Sequence, residues 1–238
     1  MKRTLGTVRL GGAVLGAAGI AALSYAGYAA TTWARYGRRD APHSPDPLLD
    51  RFMPDYEVAE RHELRVRAPA EIVYSAACNL DLTSSPVVRA LFAGRSLIMG
   101  AKGSRSEPPG PLLQYMQALG WGLLSEVAGR KAVFGAFTQP WRAEVALHRV
   151  PPDEFAAFAH PGYAKIVWTI EAEPAAGDGS IARTETRVTT TDPESRERFR
   201  RYWAAFSPGI LLIRRQLLRA IRREAERAWM ARRVPATI

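Results

Sequence analysis

A chain of 238 residues, 47% of them hydrophobic, has the length for one ordinary domain with an appendage and the apolar content for a packed core, so disorder is not its default state. The formal net charge of +10 is concentrated at one end: residues 194–238 carry twelve arginines against four acidic side chains, a difference of +8 that leaves the remainder nearly balanced. The single cysteine, Cys78, excludes an intramolecular disulfide and a thiolate metal cluster.

A basic N-terminus, residues 1–9, holds Lys2, Arg3 and Arg9. Residues 10–33 then contain no charge. A helix over these twenty-four residues covers about 36 Å at ~1.5 Å per residue, enough for a hydrocarbon core of ~30 Å. Tyr25, Tyr28 and Trp33 sit toward one end as interfacial aromatics, and Arg35, Arg38 and Arg39 follow. The pattern predicts a retained single-pass transmembrane helix; a cleaved signal peptide is the alternative, since Gly27 and Ala29 are small enough for a peptidase. Three basic residues flank each side, so sidedness stays open: the arginine-rich domain tilts it to the cytoplasm, while a short basic N-terminus that stays inside would send the domain out. Residues 34–54, with Pro42, Pro45, Pro47 and Pro54, read as an extended linker.

The folded domain is expected over 55–231, with a tail at 232–238. Over 56–66 the chain alternates: Tyr56, Val58, Glu60, His62, Leu64 and Val66 share one face, and Glu57, Arg61, Glu63 and Arg65 the other. This predicts a strand with one wet side. Pro69 fits the first turn of a helix carrying Ile72, Val73 and Ala76, and Ser85-Pro86 starts a second helix that Gly94 ends. The Gly/Pro-rich stretch 95–111 predicts a long mobile loop, a place for a lid. A helical turn or two at 112–119 precedes strands at 121–127, 131–137 and 142–150, an antiparallel meander. Alternation resumes through Ala164, Ile166, Trp168, Ile170 and Ala172, and a turn at 175–179 leads to a strand over 181–191.

Asp192 caps a final helix whose first position is Pro193. Phe199, Trp203, Phe206, Ile210, Ile213, Leu217, Ile221, Ala225 and Ala228 recur at steps of three and four, one apolar face of a long helix with the arginines pointing away. Ser207-Pro208-Gly209 is expected to kink or break it.

The order strand, two short helices, antiparallel meander, long C-terminal helix resembles the helix-grip domains of the START-like, or SRPBCC, superfamily, which includes the birch-pollen allergen, START lipid carriers and polyketide cyclases. The residues that carry the likeness are Val66-Arg67-Ala68-Pro69-Ala70-Glu71-Ile72-Val73-Tyr74, Phe158-Ala159-His160-Pro161-Gly162-Tyr163-Ala164-Lys165 and Arg198-Phe199-Arg200-Arg201-Tyr202-Trp203. The resemblance implies an α+β fold, a curved antiparallel sheet gripping the C-terminal helix with a cavity between them. The hydrophobic segment in front is not part of that core fold and argues against a freely shuttling carrier.

Within such a cavity, Glu60 and His62 stand out because parity puts them on the otherwise apolar strand face, where polar groups need partners. One reading has them bind a headgroup or move a proton. The other has them solvated at a strand end or paired with an arginine. Arg187 and Glu185 share a face; an outer salt-bridge ladder with Lys165, Glu171 and Glu173 competes with an inward Arg187 that clamps a carboxylate or phosphate. The expected ligand-binding set is Glu60, His62, Trp168, Arg187, Phe199, Trp203, Phe206 and Ile210. The four histidines have no metal-ligand spacing, no GxSxG or phosphate-loop motif occurs, and no cofactor is implied.

The arginine-rich face has three readings: solvated, laid on an anionic membrane, or bound to nucleic acid. The last is disfavoured because no turn-helix geometry accompanies it. Three functions follow. A membrane-tethered module binds a hydrophobic or amphipathic small molecule such as a lipid, sterol or polycyclic aromatic; or the same cavity serves a cyclase, dehydratase or hydrolase with Glu60 and His62 as base and acid; or a fully packed interior makes the chain an adaptor.

Overall fold

The computed structural model describes residues 5–38, 45–81, 84–101 and 110–233, with backbone alone for 5–18 and 21. The elements are α1 (Leu5–Arg35), α2 (Pro47–Asp50), β1 (Val58–Val66), α3 (Ala70–Cys78), α4 (Pro86–Met99), α5 (Leu112–Ala118), β2 (Gly122–Val127), β3 (Lys131–Thr138), β4 (Leu147–His148), α6 (Pro152–Phe155), β5 (Ala164–Pro174), β6 (Ser180–Thr190) and α7 (Pro193–Arg233). Five strands form an antiparallel path β1-β6-β5-β3-β2, with β4 paired to β3. The α+β helix-grip arrangement expected from the chain is present, with α7 laid against one side of the sheet.

Period-two alternation sends Leu64 of β1, Ala182 of β6, Ile170 and Ala172 of β5 and Ala132, Phe134 and Ala136 of β3 to that side, where they form one core with Leu217, Leu218, Ile221 and Ala225 of α7. α3 closes the same core with Ile72, Val73 and Tyr74. At the other end of α7, Phe199 and Trp203 join Val58, Ala164 and Val188 in a separate cluster. Asp192 starts α7 by accepting from the Ser195 N–H at 2.8 Å and the Ser195 hydroxyl at 2.6 Å, which with the Gly162 N–H holds its carboxyl well below the usual range.

Four expectations are corrected. Gly94 does not end α4, because a single interior glycine costs only about 1 kcal/mol; the stop comes at Gly100, whose φ of 69° allows its N–H to reach the Leu97 carbonyl while the Ala101 N–H reaches Ser96. The strand expected over 142–150 shrinks to Leu147–His148. α7 runs unbroken through Pro208, a helix of ~60 Å. The ring removes the donor that the Ala204 carbonyl would use, and α1 braces the neighbouring turn: the Tyr25 hydroxyl donates to the Ala205 carbonyl and the Tyr28 and Ser207 hydroxyls lie 3.2 Å apart.

The fourth concerns the linker. Its second half is a strap, not a tether: Leu49, Phe52 and Met53 are at most 2% exposed and pack on the outer side of the sheet against Leu124, Val133, Phe155 and Val167. Residues 39–44 of the linker, 102–109 of the expected lid and 234–238 of the tail lie outside the described residues.

The single-pass membrane localisation is also overturned: among the described residues no helix is long and apolar enough to cross a membrane. The aromatic end of α1 that the sequence assigns to an interface is engaged by protein instead. Arg200 of α7 donates to the Trp33 carbonyl at 2.8 Å and stacks over the Trp33 ring at 4.2 Å, and Tyr36 packs on Phe199 at 6.1 Å.

Candidate functional site

Strand register builds the floor of the site. Glu60 of β1 lies opposite Thr186 of β6, which lies opposite Trp168 of β5, so three adjacent strands present one row toward α7. His62 occupies the next inward position of β1, opposite Thr184. Trp168 is 1% exposed, stacked on Phe134 at 5.6 Å and edge-on to Trp121 at 6.4 Å. Its indole N–H donates to the Thr184 hydroxyl at 2.7 Å, and that hydroxyl donates to the Thr169 carbonyl at 2.8 Å, so this pair is satisfied.

The roof is α7, and it is uneven. Phe199, Trp203, Ala204 and Ser207 are buried on one stretch and Leu217, Leu218, Ile221 and Ala225 on another, but from Pro208 to Gln216 no residue is fully buried. In this middle stretch the Arg214 guanidinium lies over the Trp168 ring, 5.0 Å from its centroid. Withdrawal from water pushes it down to about 9, so it keeps its charge at neutral pH. No carboxylate among the described residues pairs with it.

Two further polar atoms in this region lack a hydrogen-bond partner among the described residues: His62 Nε2 and the Thr186 hydroxyl, both withdrawn from solvent. His62 Nε2 stands 3.8 Å from the Glu60 carboxylate, beyond hydrogen-bonding distance. Burial first, then the Arg215 and Arg214 charges, hold the imidazole below its ordinary value, so it is neutral at pH 7. This region thus gathers the Arg214 cation with Arg215 exposed beside it, the Glu60 carboxylate, one neutral imidazole, one hydroxyl and an indole face.

Arg187 is elsewhere. Its parity puts it on the outer side of the sheet under the strap, where it donates to Glu185 at 2.8 Å, to Asp50 at 2.6 Å and to the Met53 carbonyl at 3.1 Å, with Tyr56 stacked 4.8 Å from it. Burial works against its charge, and the Asp50 and Glu185 bonds outweigh it. Its Nε and Nη1 donors are therefore occupied by the chain itself. Beside it, Arg183 joins Glu63, Glu171 and Glu173 at 2.8–3.3 Å, an outer ladder.

Of the other expected residues, Phe199 and Trp203 are packed in the cluster at the α1 end, stacked at 6.0 Å. Phe206 stacks on Tyr202 at 5.1 Å, on the side where Arg95 of α4 lies over the Tyr202 ring. Ile210 is half-buried at the edge of that cluster. So Glu60 and His62 are neighbours on β1 and Glu60 shares a row with Trp168, Ile210 packs with the Phe199 and Trp203 cluster, and Arg214, which lies over Trp168, was not among the expected residues. A signal existed: 203, 207, 210, 214, 217 and 221 form as good a helical stripe as the one chosen through 206 and 213.

Two clefts flank this region without being lined by Glu60, His62 or Arg214. One of about 400 Å³ opens at the β2 edge among Gln117, Trp121, Leu123, Arg149 and Val150. The other, about 200 Å³, lies between the α3–α4 connection and α7, lined by Leu80, Val88, Gln216, Leu217 and Arg223. Among the described residues no group of three His, Cys, Asp or Glu side chains has the geometry of a metal site.

No family model matches the chain, and no curated protein sequence does. Solved structures do. A conserved protein from Geobacillus kaustophilus is 10% identical over 73% of this chain and 96% of its own, with a TM-score of 0.31. Norcoclaurine synthase from Thalictrum flavum, in complex with dopamine and hydroxybenzaldehyde, is 12% identical over 81% and 97%, TM-score 0.27. An aromatase/cyclase from Streptomyces is 14% identical over 76% and 99%, TM-score 0.24.

Proposed function

We propose that the space between the middle of α7 and the helix-facing side of the sheet binds a hydrophobic or amphipathic small molecule. The observation that carries this reading is the interruption of burial along α7: both ends are packed against the sheet, and near the stretch between them lie polar atoms with no hydrogen-bond partner among the described residues. A fully packed adaptor interior has no reason to strand a hydroxyl and an imidazole nitrogen there, since each costs about 1–3 kcal/mol unless something pairs with it. Trp168, Phe134 and Trp121 supply an apolar wall, and the cleft beside Leu217 lies one turn along α7 from Arg214, a route of entry.

The test uses the purified full chain and the neutral probe N-phenyl-1-naphthylamine, followed by energy transfer from tryptophan. Saturable binding near one probe per chain, weakened by Ile210→Trp, is expected. Absence of saturable binding would sink the proposal.

A second reading is favoured by one distance, the 3.8 Å between His62 and Glu60: a neutral imidazole beside a carboxylate can take and pass a proton, as a cyclase, dehydratase or hydrolase would require. Screening the same chain against aromatic polyketide-like substrates decides between them. A His62→Gln variant that binds the probe normally but loses turnover would favour the enzyme.

A further inference from the structure

We infer that the site is built for an anionic amphiphile, whose carboxylate docks on Arg214 with the Thr186 hydroxyl as second donor while its apolar body lies along the Trp168 wall. This rests on the reading of the space as a ligand site and names the class of ligand it takes.

The argument is one of unmet pairing. Arg214 projects from the sheet-facing side of α7 onto the ring of a tryptophan that is 1% exposed. The guanidinium carbon lies 5.0 Å from the ring centroid, and no hydrogen bond to its N–H donors is found among the described residues, so their fork is open to a carboxylate. No acidic side chain among the described residues takes that fork. The same chain fills the equivalent need elsewhere: Arg187, equally dependent on an anion, receives Asp50 and Glu185. Thr186, 6% exposed, lies opposite Trp168 in the register, and its hydroxyl is buried with no partner among the described residues, so it is a donor next to the indole over which Arg214 stands.

The other polar groups at the site set its charge balance. Glu60 lies in the same row as Thr186 and stands 3.8 Å from His62, so a neutral imidazole lies between it and the inner end of β1. Arg215, next along α7, adds a second positive charge near His62. Two arginines against one carboxylate leave the site net positive. A neutral lipid would leave Arg214 withdrawn from water without a counter-charge, whereas an anionic headgroup supplies one.

Two ligands of identical chain and different head test this on the full-length protein: oleate and oleyl alcohol, each titrated below its aggregation concentration by displacement of N-phenyl-1-naphthylamine. Oleate is expected to bind about tenfold or more tightly than the alcohol, the size of one charge-assisted hydrogen-bonded pair. Arg214→Gln should abolish that preference, weakening oleate far more than the alcohol. Arg214→Lys should restore part of it, and Thr186→Val should weaken oleate several-fold. Far-ultraviolet circular dichroism and an unchanged urea midpoint show that each variant is folded.

Equal affinity for the two ligands in the wild-type chain, or a preference that survives in Arg214→Gln, would overturn the inference while the ligand-site reading stands. Failure of the probe, the alcohol and oleate alike would remove both.

Discussion

The two sides of the sheet each carry an arginine, one buried and one half-buried, and they are treated in opposite ways. On the outer side Arg187, 1% exposed, is held by Asp50, Glu185 and a backbone carbonyl beneath a strap of Leu49, Phe52 and Met53. On the helix-facing side Arg214 rests on Trp168 with no counter-charge among the described residues. A charge paired with two carboxylates belongs to the architecture; a charge over an aromatic ring with no counter-charge among the described residues is the one on which the proposed ligand docks. The contrast also explains why the outer side is sealed by a segment of chain while the inner side keeps α7 only half-buried in its middle.

The sharpest way to break the comparison is to remove the outer cation. Arg187→Ala should destabilise the fold by about 3–5 kcal/mol in urea unfolding, because Glu185, 2% exposed, is left buried beside a cavity. Replacing the pair together, Arg187→Met with Glu185→Leu, should recover most of that loss; if it does not, the cluster contributes more than mutual neutralisation. Next in size is the strap itself. Phe52→Ala removes a ring that meets Phe155 edge-on at 6.4 Å and should cost about 3 kcal/mol, whereas a solvated tether would lose almost nothing.

Arg214→Met should behave unlike Arg187→Ala: stability stays within about 1 kcal/mol of wild type or rises, since an unpaired, half-sequestered charge is exchanged for a side chain of similar length. A loss as large as that of Arg187→Ala would mean Arg214 is structural. The smallest effect concerns His62. Burial, then Arg215 and Arg214, lower its folded-state value below 6.5. As pH falls through 6.5 the unfolded chain takes up the proton first, so stability declines until the folded-state value is reached and then levels. His62→Gln should flatten that part of the urea-midpoint profile, and an unaltered profile would place the titration elsewhere.

Much of this was legible in the order of residues. Alternation in β1, β5 and β6 and the three-and-four spacing of α7 identified the elements and the sides they bury, because an element that must hide one face repeats its apolar residues at its own period. Glu60 and His62 were visible as polar intrusions on an apolar face for the same reason. The strap was not visible: four prolines signal a non-helical path but say nothing about whether Leu49, Phe52 and Met53 will find a surface to cover. Gly94 and Pro208 were read as stops, yet a helix tolerates a local cost when its neighbours repay it, as Gly100 and α1 do here.

The N-terminal segment shows the limit most plainly. An uncharged run with aromatics at one end reads as a membrane span in sequence, yet among the described residues no helix is long and apolar enough to cross a membrane, and the end at Trp33 and Tyr36 packs on α7. The chain by itself determined which faces of β1, β5, β6 and α7 are apolar and that an α+β grip was their consistent assembly, but not the short helices at 47–50 and 152–155 or the shortened β4. Which arginine is neutralised and which is left open was decided by the tertiary structure alone, because a charge is satisfied by groups distant in sequence: Asp50 reaches Arg187 across 137 positions, and nothing local could announce that Arg214 would meet only a ring.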